Sequence, residues 1–188
     1  MFEASDLRKG LKIEMDGDPY IVTEFDFCKP GKGQALYRCK LKNMISGGTV
    51  DKTFRSVDKI GKPDLEEKEL HFSYEEGNGI YIFFDPVTND EVRIDEKLLG
   101  DAKYFLDDDM ACEILFYSDR AIEITLPFFV EKKIVETEPG ARGDTATNVT
   151  KPATLETGAE VRVPLFIDRG DIIRIDTRTG EYLERAKK

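Results

Sequence analysis

Apolar and polar residues alternate in short runs along most of this chain. Leu11-Lys12-Ile13-Glu14-Met15 alternates, Asp16-Gly17-Asp18-Pro19 turns, and Tyr20-Ile21-Val22-Thr23-Glu24-Phe25 resumes. A period of two sets one face of a strand on a core, and turn residues between two such runs predict a hairpin. Similar runs occupy 36–41, 49–54, 69–74, 79–84, 91–94, 112–117, 121–126, 133–138, 160–166, 172–176 and 181–185. Turn residues separate them at short intervals, which predicts an all-β chain of small barrels and not βαβ units. Helical spacing is scarce. Asp95-Glu96-Lys97-Leu98-Leu99 is the best candidate, with another short turn over 102–106.

Two breaks suggest domain limits, at Gly61-Lys62-Pro63-Asp64 and at Leu126-Pro127. They divide the chain into 1–64, 65–127 and 128–188. Each part is near the lower size limit for a core that stands alone, so the parts are expected to lean on each other.

The charge is uneven. The whole chain carries −10. Residues 1–64 hold 12 Lys and Arg against 10 Asp and Glu; 65–127 hold 5 against 17; 128–188 hold 11 against 11. The outer thirds could touch a polyanion, and the acidic middle third would be repelled by one. The longest apolar run that stands out, Ile80-Tyr81-Ile82-Phe83-Phe84, is too short to span a bilayer, so no membrane partner is expected. The start, Met1-Phe2-Glu3-Ala4-Ser5-Asp6, lacks a basic-then-apolar leader, and a cytoplasmic chain is expected. Cys28, Cys39 and Cys112 then read as reduced thiols. A Cys28–Cys39 disulfide across the hairpin is conceivable but disfavoured by that compartment.

Catalytic constellations are missing. His71, the single histidine, sits in a strand pattern with no visible partner and reads as a half-buried strand residue, not a base. There is no glycine-rich phosphate loop before a helix, and the Cys and His spacings make no zinc site. Asp107-Asp108-Asp109 reads as a solvated acidic turn, since a divalent-ion loop would need alternating ligands and a closing Glu. No catalytic residue, metal or cofactor is expected.

Two stretches are denser. Lys29-Pro30-Gly31-Lys32-Gly33-Gln34-Ala35 lies between strand-like segments, so a hairpin with Lys32 at its tip is expected. Lys29, Lys32, Arg38, Lys40 and Lys42 gather there with Asp26 opposing, a small cluster suited to RNA contact. An exposed lysine between glycines has neither burial nor a cationic neighbour to lower its pKa, so Lys32 reads as a probe or a modification site and not a nucleophile. The second stretch runs from Lys151 to Asp171. It reads as a loop, then an edge strand opened by Gly158 and interrupted by Pro164, then a turn at Arg169-Gly170-Asp171.

These two stretches, in this order and separation, resemble the bacterial elongation factor P family. Its modifiable loop is similar to 29–35. Its C-terminal signature is similar to 151–170, and its ending to Asp176-Thr177-Arg178-Thr179-Gly180-Glu181-Tyr182. The likeness extends to the start at Leu7-Arg8-Lys9-Gly10 and covers essentially the whole chain. The resemblance implies an N-terminal SH3-like barrel and two OB-type barrels in an L-shaped, tRNA-like arrangement. It implies a monomeric translation factor, not an enzyme, that binds the 70S ribosome between the P and E sites. There it steadies the CCA end of the P-site peptidyl-tRNA and relieves stalling at consecutive prolines. The loop Lys29, Pro30, Gly31, Lys32 and Gly33 would contact the peptidyl-tRNA. Lys32 would be extended by a lysine-modifying enzyme, in one large branch by β-lysylation; a lysine here excludes the arginine-modified branch. Gly143, Asp144 and Thr145 would face the small subunit. Two other readings stay open: a paralogue with a narrower role, and a barrel-built enzyme with Lys32 as a Schiff-base amine. Retained Lys32 and the Gly-Asp-Thr loop weigh against the first, and borohydride trapping discriminates the second.

Overall fold

The computed structural model describes residues 1–31, 33–140 and 149–186. Contacts divide the chain into two compact units, Met1–Lys68 with Ile114–Glu123, and Glu69–Glu113 with Ile124–Lys188.

In the first unit β1 (Phe2–Glu3), β2 (Lys12–Met15), β3 (Asp18–Cys28), β4 (Leu36–Asn43), β5 (Thr49–Arg55) and β6 (Lys59–Ile60) follow in chain order. Strands β2 to β5 make an antiparallel meander, and β1 pairs with β6. Met15 pairs with Asp18, so Asp16 and Gly17 form a two-residue turn with φ of 54° and 82°. Both values are positive, as the turn that matches strand twist requires. The inward positions of the alternating runs meet in one core: Ala4, Leu7, Ile13, Val22, Cys39, Leu41, Phe54 and Ile60.

Strands β7 (Leu65–Gly77), β8 (Ile80–Phe84) and β9 (Glu91–Asp95) come next. After them lie α1 (Glu96–Leu99) and a 3-10 turn over Gly100–Phe105, then β10 (Ala111–Tyr117) and β11 (Arg120–Thr125). These five strands form a sheet of order β11-β10-β7-β8-β9. Its core includes Leu70, Phe72, Phe83 and Ile94, with Phe72 edge-on to Phe83 at 5.5 Å between centroids. The expected short helix exists because Asp95 caps it: its carboxylate accepts from the backbone N–H of Lys97 at 2.8 Å.

The last sheet holds β12 (Phe129–Thr137), β13 (Thr150–Leu155), β14 (Glu160–Pro164), β15 (Ile172–Asp176) and β16 (Glu181–Arg185), in the order β14-β13-β12-β15-β16. Val130, Ile134, Ala153, Leu155, Val161, Val163, Ile173 and Ile175 line its core. Residues 151–155, expected as the start of a loop, lie in strand β13, which has neighbours on both sides. Pro152 stands within this interior strand. It is accommodated because the β12–β13 ladder runs only from Ile134–Leu155 to Thr137–Ala153. Pro152 lies just past the end of that ladder, where its missing N–H costs no bond to β12.

Two other expectations change, and the reading of the cysteines as free thiols holds. His71 is half-buried as expected, but it has a partner: Nδ1 lies 2.8 Å from an Asp109 carboxylate oxygen. Asp107 to Asp109 do form a turn, closed by the Met110 N–H donating to the Asp107 carbonyl at 3.0 Å. That turn is not merely solvated, because Lys132 reaches it. Lys132 is buried, and its Nζ donates to the Leu106 carbonyl at 3.1 Å and to the Asp107 carboxylate. The cysteines are all free. Cys39 pairs across the ladder with Phe25 and Cys28 with Leu36, three positions apart, so the two thiols point to opposite faces of the hairpin.

Candidate functional site

The hairpin of β3 and β4 is the longest in the first unit. Its ladder runs unbroken from Glu24–Lys40 to Cys28–Leu36, after one bulge between Val22 and Glu24. A third strand, β5, pairs with β4 along its length from Leu36–Arg55 to Lys42–Thr49. Residues 29–35 therefore leave a stem braced on one side. Lys29, Pro30, Gly31, Gly33 and Gln34 are exposed. Lys32, the expected modification site, lies outside the described residues.

The two glycines differ. Gly33 has φ +140°, a value L side chains rarely adopt, and a Cβ there would lie 3.7 Å from Pro30 Cγ. Gly31 has no such φ, and a Cβ there would meet nothing within 4 Å. Only Gly33 is required by the backbone itself.

The stem carries a feature the sequence reading missed. Phe25 and Phe27 lie on one face of β3 and are 37% and 49% exposed. Tyr37 lies between them, at 5.1 Å from Phe27 and 6.3 Å from Phe25 between ring centroids. The alternation Phe25-x-Phe27 before Lys29 was the available signal. An exposed aromatic strip beside a loop gives nucleobases a surface to stack on.

The basic cluster is also less free than its composition suggested. Lys40 donates to Glu24 at 3.0 Å and lies opposite Asp51 in the ladder. The bond to Glu24 holds the Lys40 amine above its ordinary pKa. Lys29, Arg38 and Lys42 make no ion pair among the described residues, so free positive charge remains at the tip and along β4.

Gly143, Asp144 and Thr145 lie outside the described residues, but the base of their segment is built by identifiable contacts. Lys151 on β13 is buried, and its Nζ donates to the Glu138 carbonyl at 2.6 Å. The Thr137 hydroxyl donates to the Pro152 carbonyl at 2.9 Å. Gly140 passes so close to Leu165 that a Cβ would lie 2.6 Å from the Leu165 carbonyl oxygen. The resemblance marked Lys151 as part of a signature; its contacts show a clamp on the chain entering residues 141–148.

The ending motif has a similar local reason. The Arg178 guanidinium and the Arg178 backbone N–H both donate to the buried Asp176 carboxylate. They hold it at about pKa 2. The same guanidinium lies over the Phe128 ring at 4.8 Å, and the Thr177 hydroxyl donates to the Pro127 carbonyl at 2.7 Å.

Family models match along the chain. An elongation factor P KOW-like domain matches residues 3–60, an elongation factor P OB domain 65–124, and the elongation factor P C-terminal model 130–185. Elongation factor P of Desulforapulum autotrophicum is 52% identical over 188 residues, covering 100% of both chains. That of Desulfosudis oleivorans is 50% identical over the same length and coverage. The chain belongs to the elongation factor P family. The solved structure of eukaryotic translation initiation factor 5A from Methanococcus jannaschii superposes with a TM-score of 0.58 at 17% identity, over 66% of this chain and 91% of that one. At that identity the likeness concerns the fold. The all-β architecture expected from the sequence is thereby established, and the chain includes a KOW-like and an OB domain. Membership makes the chain a translation elongation factor and not a member of a known enzyme family, and it implies contact with the ribosome. No helix among the described residues is long and apolar enough to cross a membrane.

Proposed function

We propose that this chain binds the 70S ribosome between the P and E sites as a cytoplasmic monomer and stimulates peptide-bond formation at consecutive prolines. The observation that carries this reading is the braced β3–β4 hairpin with Lys29, Pro30, Gly31 and Gly33 exposed at its end. In this reading 1–64 presents that hairpin, 65–127 is an acidic OB-type domain, and 128–188 anchors the factor.

Proline is a poor nucleophile in peptide transfer, because its amine is secondary and its ring limits approach. A factor that holds the CCA end of the P-site peptidyl-tRNA in a reactive pose lowers the entropic part of the barrier. It needs no acid or base of its own. Gly31 and Gly33 let the backbone come close to RNA, and Lys32, lengthened by a modifying enzyme through β-lysylation, reaches its phosphate and 2′-OH groups. Gly143, Asp144 and Thr145 face the small subunit, where Asp144 accepts hydrogen bonds from base or sugar donors.

Translation in vitro of a Pro-Pro-Pro reporter tests the reading. Lys32→Ala should fold normally and lose most of the stimulation. Lys32→Arg keeps the charge but blocks amine acylation, and should lose it too where modification is required. Full activity of the alanine variant would refute the central claim.

A further inference from the structure

The first unit has a second cationic feature, away from the β3–β4 loop sequence. A cleft of about 430 Å³ is lined by Phe2, Arg8, Lys9, Gly10, Leu11, Lys12, Lys62, Pro63 and Leu65. Four of these residues are cations and none is acidic. Arg8, Lys9 and Lys62 are exposed, and Lys12 is half-buried at the start of β2.

These four cations are unpaired among the described residues. Several cations of the acidic and C-terminal stretches have partners instead. Lys103 pairs with Glu96, Arg93 with Glu76, Arg174 with Glu131 and Glu184, and Arg185 with Asp171. A chain of net charge −10 has ample acid to neutralise a chance basic patch. Here it places none in the lining. Like charges left together without counter-charge repel one another, so the arrangement costs stability unless an anion completes it.

The positions are fixed by the fold. The Gly10 N–H donates to the Val22 carbonyl at 2.7 Å and the Leu11 N–H to the Arg8 carbonyl at 3.1 Å, which ties the 8–11 turn to β3. The Glu14 N–H donates to the Gly61 carbonyl at 2.9 Å, which holds the 61–63 segment beside β2. The same lining holds the apolar Phe2, Leu11, Pro63 and Leu65, which are less exposed than Arg8, Lys9 and Lys62. Exposed cations with less exposed apolar groups suit a sugar-phosphate backbone: phosphates meet the cations while ribose faces rest on the apolar groups.

We infer that the Arg8-Lys9-Lys12-Lys62 cleft is a second RNA-backbone site, separate from the 29–33 loop, that grips phosphates of the RNA this unit meets. It rests on the proposed ribosome binding only for where that RNA is encountered. The cleft carries no sequence readout, because its polar groups are point charges without paired donor and acceptor patterns.

The test uses the full chain and a CCA-ended RNA minihelix, with affinity read by fluorescence anisotropy at several salt concentrations. Arg8→Gln, Lys9→Gln, Lys12→Gln and Lys62→Gln combined should flatten the slope of log affinity against log salt by about 3 to 4, near 0.9 per lost phosphate contact. Arg8→Gln and Lys62→Gln alone should each remove about 1 from the slope. Lys97→Gln and Arg120→Gln, exposed cations outside the cleft, should leave it unchanged. A melting curve on each variant checks folding, and the single variants serve if the combined one does not fold. An unchanged slope in the cleft variants, or an equal loss in the Lys97 and Arg120 variants, would overturn the site. Inorganic polyphosphate displacing the minihelix as well as RNA of equal charge does would overturn the assignment to RNA. Wild-type binding to 70S ribosomes, measured alongside, tests the proposed function independently of the cleft.

Discussion

Lys151 Nζ lies 2.6 Å from the Glu138 carbonyl oxygen, although the lysine is only 5% exposed. A buried ammonium satisfied by a main-chain oxygen fixes the backbone at that point. Here it fixes the last residues before the 141–148 segment, the one expected to face the small subunit. Lys151→Met keeps the stem and deletes the donor. Glu138 is itself exposed, so water can replace the lost bond in part, and stability should fall by about 1 kcal/mol. Lys151→Ala also removes the buried stem, and should cost about 2 kcal/mol more through lost packing. Urea unfolding of both variants measures the difference. A Lys151→Met protein more stable than wild type would show that desolvating the ammonium outweighs its bond.

Asp176 predicts an acid-dependent stability. Arg178 side-chain bonds, with the Arg178 backbone N–H, hold the carboxyl at about pKa 2 against an ordinary value of 3.8. A folded-state pKa below the unfolded one means stability that is present above the unfolded value and lost as pH falls through the folded one. The contribution of this pair should therefore be complete above about pH 5 and be lost as pH falls through about 2. Asp176→Asn should lower the melting temperature at pH 7 and leave it close to wild type near pH 2. Melting curves across that range check it; a constant gap between the two proteins would mean that the pair does not titrate as described.

Much of the fold was legible because alternation is a direct record of burial on one face. Ile13, Leu41 and Phe54 read as inward and are inward. Two inward lysines escaped that reading. Lys132 and Lys151 occupy inward positions of β12 and β13, yet their charge marks them as outward in any period-two reading. Each is tolerated by a specific acceptor, the Leu106 or Glu138 carbonyl, which lies outside its own strand. Sequence spacing carries no trace of such partners. The hairpin loop was legible from Pro30-Gly31 and Gly33, since turn chemistry is local. The aromatic strip of Phe25, Phe27 and Tyr37 was not, because it needs the cross-strand register that pairs Phe27 with Tyr37. The clamp on residues 141–148 was hidden for the same reason: Lys151 and Glu138 are 13 residues apart.

The contrast between the two loop glycines gives the sharpest functional prediction. At Gly33 the φ of +140° penalises any side chain, so Gly33→Ala should pull the loop toward a different backbone path. Gly33 and its described neighbours Gly31 and Gln34 are exposed, so global stability should change by no more than about 1 kcal/mol. At Gly31 alanine fits both the backbone and the surrounding space. If the loop acts only through its shape, Gly31→Ala should keep near-normal activity on a Pro-Pro-Pro reporter while Gly33→Ala loses most of it. If RNA backbone packs directly against residue 31, both variants should fail, since a methyl would then meet the partner instead of the protein. Reporter synthesis with each variant, beside urea unfolding to show that both are folded, separates the cases. Wild-type rates in both variants would show that the glycines serve neither purpose, and would remove the backbone of this loop from the functional site.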